Sequence, residues 1–301
     1  MGWALGSNDA ANIFGLAVST KILRFWTAAI IASVFVMVGA VISGQAGFET
    51  YGAIAKQDLT SAFLITFAAA LTVTVMTQLA LPVSTSQATV GAILGMGMLT
   101  SEVHWGIMIK VGLSWILTPV GGALSSYLLY LVLGRSLERW LSRYINYDRI
   151  LKIGFLLVGA YSAFSLGANN VANVTGVYVK AGFFNPRIGS LVGSAAIAFG
   201  ILSYSRKVIH TVGEKLVTLN PFAAFIALLG EALTLNVFAL IGVPVSASQA
   251  IVGAVLGIGI LKGVKTIDLR NVRNIGLAWV LTPAVSGIVA LLFGVVFQSF
   301  R

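Results

Sequence analysis

The sequence predicts an all-α polytopic membrane protein made of two inverted-topology repeats, each with broken helices and a re-entrant hairpin. Three observations predict it. The 301 residues are 58% hydrophobic and only 9% charged, whereas a soluble domain carries about a quarter charged residues. Apolar runs long enough to cross a bilayer recur along the whole chain. The second half also repeats the first. Residues 82–99 match 244–261 at 13 of 18 positions, 6–18 match 167–179 at 6 of 13, and 112–119 match 276–283 at 6 of 8. The offsets are 161, 162 and 164 residues in the same order, so one ancestral unit has been duplicated.

The first repeat occupies 1–133, a basic cytoplasmic linker 134–151, and the second repeat 152–301. Crossings fall near 1–18, 27–44, 59–79, 82–99 and 105–133, then 152–179, 188–204, 221–242, 244–261 and 275–299. The linker carries four arginines against two acids; loops 205–219 and 262–274 are basic, while 45–58 and 100–104 are slightly acidic. Placing the basic loops in the cytoplasm orients the chain, and five crossings per half invert one half relative to the other. The loop 180–187, with Lys180 and Arg187, is a mild violation. Residues 86–99 fall short of the ~20 needed to span. With Pro82 and Pro244 at the tips, 59–79 with 82–99, and its second-half counterpart, read as hairpins that dip in and return. Loop charge alone does not separate this from two full crossings.

The net charge of +10 fits basic loops on one membrane face better than nucleic acid. Zero cysteines exclude disulfides, thiolate metal sites and thiol catalysis. The opening residues "MGWALGSNDAAN" have no basic n-region and no cleavage site, so no signal peptide is expected. No His, Cys or metal-ligand set falls in the apolar segments, which speaks against an intramembrane enzyme. His104 and His210 fall in or beside predicted loops.

The most polar stretches are among the best kept between the halves. Inverted repeats with interrupted helices hold substrate and coupling ions near the midplane of secondary transporters, and two interruptions are expected per half. The first is "GSNDAAN", with Asn8, Asp9 and Asn12; its counterpart carries Asn169, Asn170 and Asn173. A carboxylate at membrane depth is costly and marks function. Oxygen-rich Asp/Asn clusters suit a hard cation such as Na⁺, so Asp9, Asn12, Asn170 and Asn173 are the candidate cation ligands. Packing of glycine and bridging by asparagine is the competing reading.

The second interruption is "PVSTSQ", repeated as "PVSASQ". Proline with Ser/Thr opens a helix, and the free N–H groups there attract an anion. Ser84, Thr85, Ser86, Gln87, Ser246, Ser248 and Gln249, with Asn8 and Asn169, are the candidate anion ligands. Simple helix capping competes for any single serine. Gly91 with Gly95, and Gly253 with Gly257, read as packing glycines. No Lys or Arg falls inside the four motifs, so co-bound cations would balance a dianion. Glu231 lies mid-span opposite Ala69 of the first half. It reads as a coupling carboxylate for a proton or cation, or equally as a neutral carboxyl bonded between helices.

At these residues the chain is similar to the inorganic phosphate transporter (PiT) family, which is marked by duplicated "GANDVAN"-type and "PVSTS/T"-type motifs. The resemblance spans the whole chain. It implies Na⁺- or H⁺-coupled uptake of inorganic phosphate across the cell membrane, no cofactor beyond the co-transported ion, and a homodimer. It places Asn8, Asp9, Asn169 and Asn170 at the ion and phosphate centre. A sulfate permease of the same family is the nearest alternative; an anion channel fits the cation-type clusters less well. Three departures stand out. Asn170 replaces a common Asp, Ala247 stands opposite Thr85, and only "MGWAL" precedes Gly6 where fifteen residues of the segment precede Gly167. The first half-helix therefore reads as shortened.

Overall fold

The computed structural model describes residues 1–78, 83–100, 103–141, 143, 146–212, 219–263 and 269–300. Among these residues all regular structure is helical, apart from one isolated bridge between Ala55 and Val103. In the first half lie α1 (Gly2–Ser19), α2 (Phe25–Ser43), α3 (Ala46–Ile54), α4 (Leu59–Gln78), α5 (Thr85–Thr100) and α6 (Trp105–Leu129). A π-helical turn, Tyr130–Gly134, and α7 (Arg135–Leu141) connect to the second half. There follow α8 (Tyr147–Lys180), α9 (Pro186–Val212), α10 (Pro221–Leu240), α11 (Ala247–Lys262) and α12 (Leu269–Ser299). Among the described residues seven helices are long and apolar enough to cross a membrane: α2, α4, α6 with its π turn, α8, α9, α10 and α12. Large apolar side chains face outward along them, such as Ile116 at 65% and Val280 at 70% exposure. On a water-soluble surface that would drive aggregation; here it is the lipid-facing coat of a multi-pass membrane protein.

The halves interlock. α1 packs chiefly on α9, and α2 packs on α8; α5 packs on α12, and α6 on α11. Exchanging each helix for its repeat counterpart maps the first pair onto the second and the third onto the fourth. Glycines make these crossings close. A side chain at Gly6 would strike the backbone carbonyl of Ile197, and one at its counterpart Gly167 would strike that of Val36. Gly91 and Gly95 meet the carbonyls of Pro283 and Gly287, while Gly253 and Gly257 meet those of Pro119 and Ala123. Packing is thus what these "GxxxG" glycines do. Two of their carbonyl partners belong to the prolines inside α6 and α12.

α4–α5 and α10–α11 are hairpins. The Ala55–Val103 bridge, together with the His104 N–H donating to the Ile54 carbonyl at 2.9 Å, ties both feet of the first hairpin to the start of α6. At the second hairpin, Asn220, which precedes α10, donates to Glu138 at 2.8 Å. Lys262, the last residue of α11, sits 5.5 Å over the Tyr130 ring. Both feet of the second hairpin therefore stand at the far end of α6. That helix has 25 residues and is about 37 Å long at 1.5 Å per residue. The hairpins enter from its opposite ends, and their tips meet between.

The helix boundaries differ from expectation in three places. The chain does not break at either asparagine motif: α1 and α8 run without interruption through 6–12 and 167–173. These segments contain no proline, their glycines serve helix crossings, and their asparagines bond sideways, so nothing disrupts the backbone ladder. Only the second motif of each half interrupts a helix. At 241–246 the interruption includes Gly242 at φ +67, a left-handed turn in which glycine is unstrained. Pro244 lies in that tip, whereas Pro82 lies outside the described residues. α9 also continues to Val212, absorbing His210 and much of the loop expected at 205–219. Finally, α1, 18 residues long with Asn8, Asp9 and Asn12 inside it, lacks the apolarity of a span; four of its residues precede Gly6, against twenty of α8 before Gly167.

Candidate functional site

The two hairpin tips and the two asparagine motifs converge in one buried centre. Every candidate ligand is there, none more than 7% exposed. Each tip ends in a helix start. The Ser84 hydroxyl accepts from the Gln87 N–H at 3.2 Å, and the Ser246 hydroxyl from the Gln249 N–H at 3.3 Å. These two serines are N-caps, so their hydroxyl oxygens already serve the helix starts.

Ser86 and Ser248 have a different task. Ser86 donates to the Val245 carbonyl at 2.7 Å, and its counterpart Ser248 donates to the Val83 carbonyl at 3.1 Å. Each tip thus clasps the backbone of the other through equivalent bonds. Ser248 is also 2.8 Å from Ser246.

The asparagine helices brace the clasp. Asn169 accepts from the Val245 N–H at 3.2 Å and donates to the Val243 carbonyl at 3.4 Å, holding the second tip by its backbone. Asn173 donates to Ser86 at 3.0 Å and to Asn170 at 2.8 Å; Ser86 in turn reaches the Asn170 carbonyl oxygen at 3.1 Å. On the α1 side, Thr85 donates to Asp9 at 2.9 Å, and the Asn12 amide lies 3.5 Å from the other carboxylate oxygen. Asn8 turns away to Thr77 of α4 at 3.1 Å. Thr85 with Asp9, and Ser86 with Asn170 and Asn173, therefore pair residues expected as anion ligands directly with residues expected as cation ligands. The network is asymmetric where the sequence is. Asp9 accepts from Thr85, whereas their counterparts, Asn170 and Ala247, have no such bond: Ala247 carries no hydroxyl, and Asn170 accepts from Ser86 and Asn173.

Three buried polar atoms of this centre have no partner among the described residues: Oε1 of Gln87, Oε1 of its counterpart Gln249, and Nδ2 of Asn170. An unpaired buried polar atom costs about 1–3 kcal/mol, so such a set points to an ion or polar ligand that completes it. Two acceptors and one donor suit a centre that takes both signs of charge.

Glu231 stands apart, on α10. Its Oε2 accepts from Ser162 of α8 at 2.6 Å, and its Oε1 has no partner among the described residues. Four participants carried no signal in the sequence. Tyr51 of α3 donates its hydroxyl to the Asn173 carbonyl oxygen. Thr89 reaches the Asn173 main-chain carbonyl at 3.4 Å. The others are Thr77 and Ser162. Tyr51 comes from a segment that reads as an outer loop, and the hydroxyls lie singly in apolar runs.

A polytopic helical protein with a buried, ion-suited polar centre where two opposed hairpin tips meet is a membrane transporter. Its family is specific. The Phosphate transporter family matches residues 5–146 and 139–290, and the chain belongs to that family. A Pyrococcus furiosus protein named "Putative phosphate permease" is 28% identical over 99% of this chain and 93% of its own length. A protein of that name from Methanocaldococcus jannaschii is 28% identical over 96% and 91%. The Bacillus subtilis sulfate permease CysP is 29% identical over 94% and 81%. A solved structure described as "The sodium-dependent phosphate transporter" superposes with a TM-score of 0.86 over 100% of this chain and 97% of its own, at 22% identity. At that identity the likeness establishes the fold.

Proposed function

We propose that the protein imports inorganic phosphate across the cell membrane by symport with Na⁺. The observation that carries this reading is the hydrogen bond from Thr85 to Asp9. It joins a hairpin tip suited to an anion to the one carboxylate among the four motifs, so that a cation on Asp9 and an oxyanion at the tips each favour the other. On this reading Asp9, Asn12, Asn170 and Asn173 hold Na⁺. Thr85, Ser86, Ser248, Gln87 and Gln249, with the helix starts behind Ser84 and Ser246 and the amides of Asn8 and Asn169, hold phosphate. The tip hydroxyls release their clasp as the oxyanion enters. Two half-charges from helix starts balance only part of a dianion, and co-bound Na⁺ supplies the rest. The reaction is transport without bond chemistry.

In the same reading 1–133 and 152–301 are repeats inverted in the membrane. The Arg135–Lys262 end of the second hairpin lies in the cytoplasm, and two copies of the chain associate. Sulfate transport is the second reading, favoured by the kinship to the Bacillus subtilis sulfate permease. A protonated phosphate oxygen donates a hydrogen bond to Asp9 and sulfate does not, which favours phosphate. The test is uptake of labelled phosphate and sulfate into proteoliposomes, with and without an inward Na⁺ gradient. Phosphate uptake driven by the gradient supports the proposal; equal uptake without it refutes symport, and preferential sulfate uptake refutes the substrate.

A further inference from the structure

Among the described residues each half of the protein buries one carboxylate in its helices, at non-equivalent positions. In the first half it is Asp9, on α1, whose counterpart is Asn170. In the second half it is Glu231, on α10, whose counterpart is Ala69. Ala69 and Glu231 are both fully buried. Duplication therefore does not explain Glu231, and no helix crossing needs it, because alanine fills the same place in the first half. An ionisable group kept in such a place has a function more often than not.

The surroundings decide what it binds. A hard cation takes about six oxygen ligands. Glu231 has the Ser162 hydroxyl at 2.6 Å and an unpartnered Oε1. The next hydroxyl on its helix, Thr234, is committed to the Gly230 carbonyl at 2.8 Å and lies 3.4 Å from Ser125. Its neighbour Ala232, and Ala227, Leu228 and Leu235 one turn to either side, are fully buried and apolar. This is a poor cage for Na⁺, but a proton needs no cage.

Ionisable groups on the helices packed against α10 are otherwise remote or occupied. Glu49, Lys110, Asp148, Arg149, Lys152, Lys180 and Lys262 are exposed, and Tyr51 is bonded to Asn173. Tyr127, Tyr130, Tyr147, Tyr161 and Tyr178 are half-buried. Asp9 of α1 is the group whose charge reaches Glu231.

We propose that Glu231 is a proton-binding site that accompanies the Na⁺ and phosphate centre, so that uptake requires a proton on this carboxyl as well as a cation at Asp9. The inference rests on the transport reading above. With Glu231 protonated, the centre loses one negative charge that would repel the entering oxyanion. With Glu231 ionised, two carboxylates lie buried in the same protein, and burial screens their repulsion less than water would.

The experiment uses full-length protein in proteoliposomes with a fixed inward Na⁺ gradient, an interior at pH 8, and an exterior stepped from pH 8 to 6. Wild-type phosphate uptake should rise as the exterior is acidified, by up to about tenfold per pH unit, the limit for one proton. In Glu231→Gln the ratio of acid to alkaline uptake should fall towards that caused by phosphate speciation alone, which is common to both proteins. A Glu231→Gln ratio equal to that of wild type overturns the proposal. If that variant fails to fold, Ser162→Ala keeps the carboxyl but removes its hydroxyl partner and should displace the midpoint of the pH profile; an unmoved midpoint in the folded protein also overturns it. The Na⁺-free arm separates the two readings. Loss of Na⁺ stimulation with retained acid stimulation refutes Na⁺ symport and leaves Glu231 as the proton site.

Discussion

Replacing Ser86 and Ser248 by alanine, singly and together, tests whether the two tips hold each other closed. Each substitution removes one buried hydroxyl-to-carbonyl bond between tips, at 2.7 Å for Ser86 and 3.1 Å for Ser248. A net contribution of about 1–1.5 kcal/mol per bond means that each single change should raise the population with tips apart by about 5- to 12-fold. Together they remove about 2–3 kcal/mol, or about 30- to 150-fold. The double change should fall somewhat short of the product, because the two bonds share the same pair of segments. Ser86→Ala should act more strongly than Ser248→Ala, because Ser86 also accepts from Asn173 and bonds Asn170.

The chain has no cysteine, so Val83→Cys introduces a single thiol at a fully buried tip position. Its rate of labelling by a water-soluble maleimide reads the open population, provided that opening and closing outpace the label. Labelling of the double variant no faster than of its single-cysteine parent would refute the clasp.

Four further outcomes are expected. Asp9→Asn should abolish Na⁺-driven phosphate uptake while the protein remains monodisperse in detergent; wild-type uptake by this variant would remove Asp9 from the cation site. Tyr51→Phe deletes the hydroxyl that fixes the Asn173 carboxamide, and should raise the Na⁺ concentration for half-maximal uptake about fivefold for a bond of about 1 kcal/mol. An unchanged Na⁺ dependence would show that Asn173 needs no orientation. Gly167→Leu drives a side chain into the Val36 carbonyl and should lower the thermal unfolding midpoint sharply, at a cost of about 3 kcal/mol or more. Gly112→Ala, with nothing within 4 Å, should be neutral or slightly stabilising.

Much of the architecture is legible in the sequence because it is written twice. Apolar runs located the helices, and the "PVSTSQ" and "PVSASQ" copies marked the two interruptions, since proline and Ser/Thr there meet local rules for starting a helix. The asparagine motifs misled the boundary reading. Glycine and asparagine in an apolar run look like a break, but Gly6 and Gly167 answer to carbonyls of a helix nearly two hundred or more than a hundred residues away, information that no local window holds. Roles within the tips were legible only in part for the same reason. Ser84 and Ser86 are two residues apart and chemically identical, yet one caps its own helix and the other reaches the opposite tip. Tyr51 was out of reach altogether, since only the docking of α3 on α8 brings it to Asn173.

The crossed pairing of the halves has a consequence for biogenesis. α1 finds its main surface on α9, while its sequence neighbour α2 touches it far less. Between Ser19 and Pro186 the ribosome must add 166 residues, which takes roughly 10–30 s at ordinary rates of synthesis. Throughout that interval α1 lacks the helix against which Gly6 will pack, and with Asn8, Asp9 and Asn12 inside it the helix by itself is too polar to lodge securely in lipid. α1 is thus made long before it can be seated. Its shelter in the meantime must come from water at the bilayer surface or from the insertion machinery.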